Sequence, residues 1–295
     1  MDGLQLSDET QAATKLLVDY VSTIQSGSRD SIERPDPHFP PEIEHKIFVI
    51  AFYDDLDMEH TGDLLSVSKR VYEWLTPLVY EIVIIYPSHN WPLMGLPSQN
   101  LLRHGKNVRH LLLNSGEEKY LARCPNLVNL CLVDWDDTLG LIPVLTSLKL
   151  KELAINLDML PQTPDLLLCF ANITHLDCAY GGWEHFVGPS GWFSHFINLT
   201  HLMVLGDRGT EQEEDSLVQQ VLQQLVKVEV FILCSYHSSD EEVEEVEVKT
   251  VYGDPRVVHL VLRFPSHWKT AAQGGLSHWM FAEEIVERQR NRQRV

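Results

Sequence analysis

One short pattern, apolar-x-x-apolar-x-apolar, recurs seven times after residue 105 and limits the folds open to this chain. The copies begin at Val108, Leu127, Leu150, Ile173, Leu199, Val228 and Val257. Their central residues are Leu111, Leu130, Leu153, Leu176, Leu202, Phe231 and Leu260, which follow one another at intervals of roughly 19 to 29 residues. That interval has room for a short strand, a turn and a returning segment. Alternation along a strand sends every second side chain to one face. The copies therefore predict strands stacked in chain order, with the central residues forming an interior row. Leu141 to Leu145 and the amphipathic run Ser216 to Leu225 supply returning segments. A non-repetitive α/β domain would need seven look-alike strands in one phase by coincidence.

The chain ahead of the repeats reads differently. Ala13, Leu16, Leu17, Tyr20, Val21 and Ile24 recur at helical spacing, predicting a helix over Ser7 to Gln25. Pro35 and Pro37 mark the linker that completes the segment 1–38. Residues 39–85 predict a helical module. Pro41 stands where a helix begins, Ile43, Ile47, Phe48 and Ala51 share a face, and a second pattern runs from Leu64 to Leu75 until Pro77 interrupts it. The repeats fill 86–276, and 277–295 reads as a C-terminal helix capping the array, with Arg288, Arg290, Arg292 and Arg294 in a basic tail. The run Asp240 to Glu247 is a solvated acidic insertion.

Two segments of the module carry a resemblance. Phe39-Pro40-Pro41-Glu42-Ile43-Glu44-His45-Lys46-Ile47-Phe48 resembles the opening of an F-box, and Leu64-Leu65-Ser66-Val67-Ser68-Lys69-Arg70 resembles its second half. The stretch Val71 to Tyr80 is similar to the exit found in fungal F-box-like proteins. Phe39 stands in place of the usual leucine, Val71 where tryptophan is common, and Asp54 to Gly62 lengthens the first connection. The repeats in turn resemble degenerate leucine-rich repeats, lacking the asparagine usual after the strand. Trp135, Asp158 and Gly181 stand there instead. The resemblance implies an α/β fold: a short helical F-box-like module, then a leucine-rich-repeat solenoid with a parallel sheet on one face. It also implies a substrate-recognition subunit of an SCF-type ubiquitin ligase. Pro40, Ile43, Ile47, Phe48, Leu64, Leu65 and Val67 would meet the adaptor subunit, with Lys69 and Arg70 at the rim, and the repeats would hold an unidentified target protein. The alternative is a leucine-rich-repeat interaction scaffold with a vestigial F-box and no ubiquitin-ligase role.

Composition narrows the partners. A formal net charge of -19 leaves nothing to neutralise a phosphate backbone, so no nucleic-acid partner is expected. No apolar run approaches the roughly 18 residues of a membrane span, and residues 1–5 show no basic or apolar leader. Five cysteines sit in apolar runs without a C-x-x-C pair, which fits the reducing cytoplasm or nucleus. Phosphate-loop, dinucleotide and zinc-ligand spacings are all missing, and Gly188-Pro189-Ser190-Gly191 lacks the spacing of a serine elbow. No cofactor, metal or enzymatic activity is expected.

What remains is a face. His110, His175, His201 and His259 each precede a central apolar residue, a position that points outward. His175 and His201, from consecutive copies, should lie side by side. With Asn129, Cys131, Glu152, Asp177, Met203 and Ile232, the residues His175, His201 and His259 make a mixed polar and apolar surface suited to binding a target. Part of that surface could be covered by a loop or by the C-terminal helix. A histidine pair there raises the question of pH sensitivity, although the position also accepts any polar residue.

Overall fold

The computed structural model describes residues 39–54, 60–85, 103–114, 118–133, 141–156, 170–179, 196–205, 211–236, 253–262 and 266–294. The helix expected over Ser7 to Gln25 and the acidic run Asp240 to Glu247 lie outside them. Two compact units divide the chain after Val79, earlier than the boundary expected at residue 85. The reason is local: Ile82–Ile85 is a strand that pairs with the next strand of the second unit.

The described residues of the first unit form three helices, α1 (Pro41–Asp54), α2 (Thr61–Ser66) and α3 (Lys69–Val79). Pro40 offers its carbonyl to the amides of Ile43 and Glu44, so Pro41 opens α1 where it costs no hydrogen bond. The pattern from Leu64 to Leu75 breaks at Ser68, whose Oγ accepts from Val71 N at 3.2 Å and starts α3. Pro77 does not end that helix. It sits exposed in the last turn, and Thr76 Oγ1 donates to Tyr72 O at 2.6 Å beside it. Phe48, Phe52, Leu64, Val71 and Leu75 are buried, and an ion pair between Arg70 and Glu44 ties α3 to α1.

The second unit is a mixed α/β structure around one sheet of eight parallel strands in chain order: β1 (Ile82–Ile85), β2 (His110–Asn114), β3 (Asn129–Val133), β4 (Glu152–Asn156), β5 (His175–Ala179), β6 (His201–Leu205), β7 (Val230–Tyr236) and β8 (Val257–Leu262). Leu111, Leu130, Leu153, Leu176, Leu202 and Phe231 pair successively across the sheet as one row, extended by Val83. They share the inner core with the returning helices α4 (Ile142–Ser147), through Leu145, and α5 (Glu211–Gln224), through Val218 and Val221. Each fully buried aliphatic side chain in such a row contributes about 1.5 to 3 kcal/mol.

A tight turn sets the entry of β2, β3, β5, β6 and β7. The carbonyls of Gly105, Cys124, Phe170, Phe196 and Leu225 accept from the amides of Val108, Leu127, Ile173, Leu199 and Val228. Side chains tie one turn to the next: Asn126 Nδ2 donates to Lys106 O at 2.7 Å, Asn198 Nδ2 to Ala171 O at 2.8 Å, and Lys227 Nζ to Ile197 O at 2.8 Å. The asparagines sought after the strand thus stand before it.

The seventh copy departs from the expected phase. Its turn recurs, with Val257 N donating to Asp254 O, but Phe231 pairs with Val257 rather than Leu260. Phe231 N donates to Arg256 O at 2.8 Å, which fixes this slide of three residues. A slide by an odd number exchanges the faces of a strand. Val258, Leu260 and Leu262 therefore point outward, and His259, opposite Leu233, takes the inward parity.

Candidate functional site

In the first unit, α1 is apolar on two sides. Phe48 and Phe52 point into the module, while Ile43, Ile50 and Tyr53 are 43%, 40% and 51% exposed and Phe39, just ahead of the helix, is 53% exposed. The residues expected to meet an adaptor therefore divide. Pro40 and Ile43 are exposed, Ile47, Leu65 and Val67 are half-buried, and Phe48 and Leu64 are interior. Arg70, expected at a rim, is engaged by Glu44 and lies over the Trp74 ring at 5.1 Å. Ile50 and Tyr53 were not anticipated, though Ile43, Ile50 and Tyr53 follow the seven- and three-residue steps of one helix face.

In the second unit, the expected target-binding residues gather on the sheet's outer face with one exception. His110, Asn129, Glu152, His175 and His201 pair successively as one row. Cys131, Ala154, Asp177, Met203 and Ile232 form the row beside it. His259 does not belong to this face, because the slide of β8 turns it inward.

The face is not open. Two C-terminal helices, α6 (Ser266–Ala272) and α7 (His278–Gln293), lie over it. Trp268 of α6 packs on Ile84, Leu112 and Cys131. Trp279, Ala282, Ile285 and Val286 of α7 pack on Met203, Val230, Ile232, Cys234, Val258 and Leu260. The C-terminal helix thus covers the face, the alternative that the sequence leaves open, rather than capping an end of the array. Cys131, Met203 and Ile232, expected on an open surface, are buried, as are Asn129 and His201. All-parallel sheets are seldom left open on one face, and the apolar outward residues favour a cover here.

Between the two apolar patches runs a polar seam. Trp268 Nε1 donates to Asn129 Oδ1 at 3.2 Å, and Asn129 Nδ2 donates to Glu152 Oε2 at 2.7 Å. Burial raises the Glu152 carboxyl above its usual range. His175 and His201 stack with ring centres 4.2 Å apart, and the Trp279 ring meets their edges at 5.3 and 5.7 Å. The two Nδ1 atoms lie 2.9 and 2.8 Å from Thr174 Oγ1 and Thr200 Oγ1. His201 Nε2 is 3.0 Å from Glu283 Oε1 of α7. Burial, and then His201 beside it, holds His175 down to about 4. Burial also lowers His201, against the opposing pull of Glu283 and Glu229. Asp177 has no hydrogen bond or ion pair among the described residues, and burial pushes its carboxyl up to about 7. Asp177, Glu152, His175, His278, Trp268 and Trp279 help line a cavity of about 20 Å³, room for about one water molecule.

Little in this arrangement offers chemistry. Among the described residues no three His, Cys, Asp or Glu side chains converge to hold a metal ion. Burial raises the thiols of Cys131 and Cys178 far above the reactive range. No described helix is long and apolar enough to cross a membrane. Comparison with known proteins adds no relative: no family model, no curated protein and no solved structure matches the chain.

Proposed function

We propose that the chain is a non-catalytic recognition subunit: an F-box-like module that docks on the adaptor of an SCF-type ubiquitin ligase, joined to a degenerate leucine-rich-repeat solenoid that presents a target. The carrying observation is the exposed apolar stripe of α1. Phe39, Ile43 and Ile50 face away from the interior that Phe48, Phe52 and Leu64 fill. A helix that needs only one apolar face to fold, yet carries two, has a face to spare for a partner. Support for the repeat reading comes from the eight parallel strands in chain order and the turn ladder that precedes them. On this reading ubiquitin transfer belongs to other subunits, and the protein works in the cytoplasm or nucleus.

The test is capture of the purified adaptor by the full chain. The pair Ile43→Asp and Ile50→Asp should abolish capture while leaving the helical circular dichroism unchanged, since both side chains are exposed. Phe48→Asp is a poor probe, because Phe48 is 3% exposed and its loss would unfold the module. If the wild-type chain captures no adaptor, the module is vestigial and the protein is an interaction scaffold.

A further inference from the structure

We infer that the outer face of the sheet is a helix-binding surface, and that α6 and α7 are its built-in occupant, displaced as a unit by an amphipathic helix of a partner protein. The inference rests on the repeats being a recognition surface, as proposed above.

The sheet does not need the helix pair for its main core. The inner core is built from strands, turns, α4 and α5, and holds no residue of 266–294. The eight strands are joined backbone to backbone, whereas among the described residues no backbone–backbone hydrogen bond links α6 or α7 to a strand. The polar ties run through side chains: Trp268 to Asn129, His201 to Glu283, and Arg290 Nη2 to Glu229 O at 3.2 Å.

The pair also carries its own local structure. Ser277 Oγ caps α7 by accepting from Met280 N at 3.0 Å, and Glu284 and Arg288 pair one turn apart at 3.1 Å. Gly274, at φ +77, and Gly275, whose amide donates to Thr270 O, close the turn between the helices. A Cβ on Gly275 would come within 2.8 Å of Thr270 Cγ2 and 3.0 Å of Thr270 O.

The two faces differ in finish. The inner side of the sheet is mainly apolar, with His259 among its buried side chains, while the outer seam gathers Asn129, Glu152, His175, Asp177, His201 and a small cavity. A polar seam of this kind suits a contact made and broken more than a permanent core. The occupant's pattern describes the partner. A tryptophan, then small and aliphatic residues three, six and seven positions on, make the face formed by Trp279, Ala282, Ile285 and Val286, with an acid at Glu283 reaching His201.

The cysteines provide the experiment. Cys131 and Cys234 lie on the outer face beneath the helices, whereas Cys124 and Cys178 lie in the inner core. The full native chain is labelled with a thiol reagent and each cysteine is read separately by mass spectrometry. Cys131 and Cys234 should react together, at least about tenfold faster than Cys124 and Cys178, and with a weaker dependence on urea. Ile155→Val, in the inner core, should speed Cys124 and Cys178 by about two- to tenfold and leave the outer pair unchanged. A fluorescent peptide copying residues 266–294 should bind the full chain, and more tightly, up to about 100-fold, when Trp279→Ala weakens the resident helix. One rate and one urea slope for all four cysteines would overturn the inference, as would a peptide that fails to bind the Trp279→Ala chain. Neither readout involves the adaptor. Failed adaptor capture alongside the expected labelling would remove the ligase reading and leave the helix exchange standing.

Discussion

Asp177 projects from β5 between Ala154 and Met203, in a row that also holds Ile84, Leu112, Cys131, Ile232 and Val258. Replacing it with asparagine should stabilise the protein at and above neutral pH. The folded carboxyl sits at about 7, against 3.8 for a free aspartate, because burial disfavours its charge. A folded pKa above the unfolded one means that the native state holds this proton more tightly. The contribution of Asp177 to stability therefore falls as pH rises from about 4 to about 7, and the loss is constant above that. The difference between about 7 and 3.8 corresponds to about 4 kcal/mol at most, and water in the neighbouring cavity reduces it, leaving about 2 to 4 kcal/mol. Asparagine keeps the shape of the neutral acid and cannot ionise. Urea titrations of both proteins between about pH 4 and 8 measure the difference, and both carry the same histidines. The gap should be small at the acid end, widen with pH, and level off above about 7. A gap that does not vary with pH, or a variant less stable than wild type at about pH 8, would refute the argument.

His175→Gln should make the protein less acid-sensitive. Burial and the neighbouring His201 hold His175 at about 4, so the stability of its neutral form is complete above 6.5 and is lost as pH falls towards 4. At about pH 5 the variant should gain about 2 kcal/mol on wild type relative to their difference at about pH 8, read from urea midpoints. Gly105→Ala should cost more than about 2 kcal/mol, because its new Cβ would clash with the Arg123 carbonyl oxygen in the turn that leads into β2. A thermal melt within a few degrees of wild type would show that the turn yields freely.

The repeat was legible because it is a statement about burial. Alternate apolar positions in one phase must share a face, and the aligned row from Leu111 to Phe231 is that face. The last copy was misread because its motif and turn are intact while its register is not. Register depends on the connection before β8 and on where Arg256 O finds a donor, and a strand motif records neither. The expectation looks for asparagine after the strand, whereas Cys124-Pro125-Asn126-Leu127 and Phe196-Ile197-Asn198-Leu199 place an asparagine that ties neighbouring turns before it. The cover over the outer face had a signal too. Cys131, Met203 and Ile232 are too apolar for a solvent face of a parallel sheet, and Trp268 and Trp279 are too large to stay exposed. The second face of α1 escaped notice because the helix was read for one stripe, and Ile50 and Tyr53 fall on the other.

The histidine pair raised the question of a pH-sensitive face, and the geometry answers it through Asp177. Two positions apart on the same strand, a half-buried base and a half-buried acid are each held in their neutral forms between about pH 4 and 7. Acidification across that range costs the folded state through His175 and stabilises it through Asp177. The two effects oppose each other and are similar in size. His201 adds to the histidine side, opposed by Glu283 and Glu229, and Glu152, raised by burial, adds to the acid side. The intact seam is therefore nearly flat in pH, and only unbalancing it exposes the response. Asp177→Asn leaves the histidines alone and should make the protein acid-sensitive. His175→Gln leaves the acid alone and should make stability fall from about pH 5 to about pH 8. Opposite slopes in the two variants, with a flat wild type, are what this cancellation requires. Equal slopes in both would mean that neither group titrates beneath the helices.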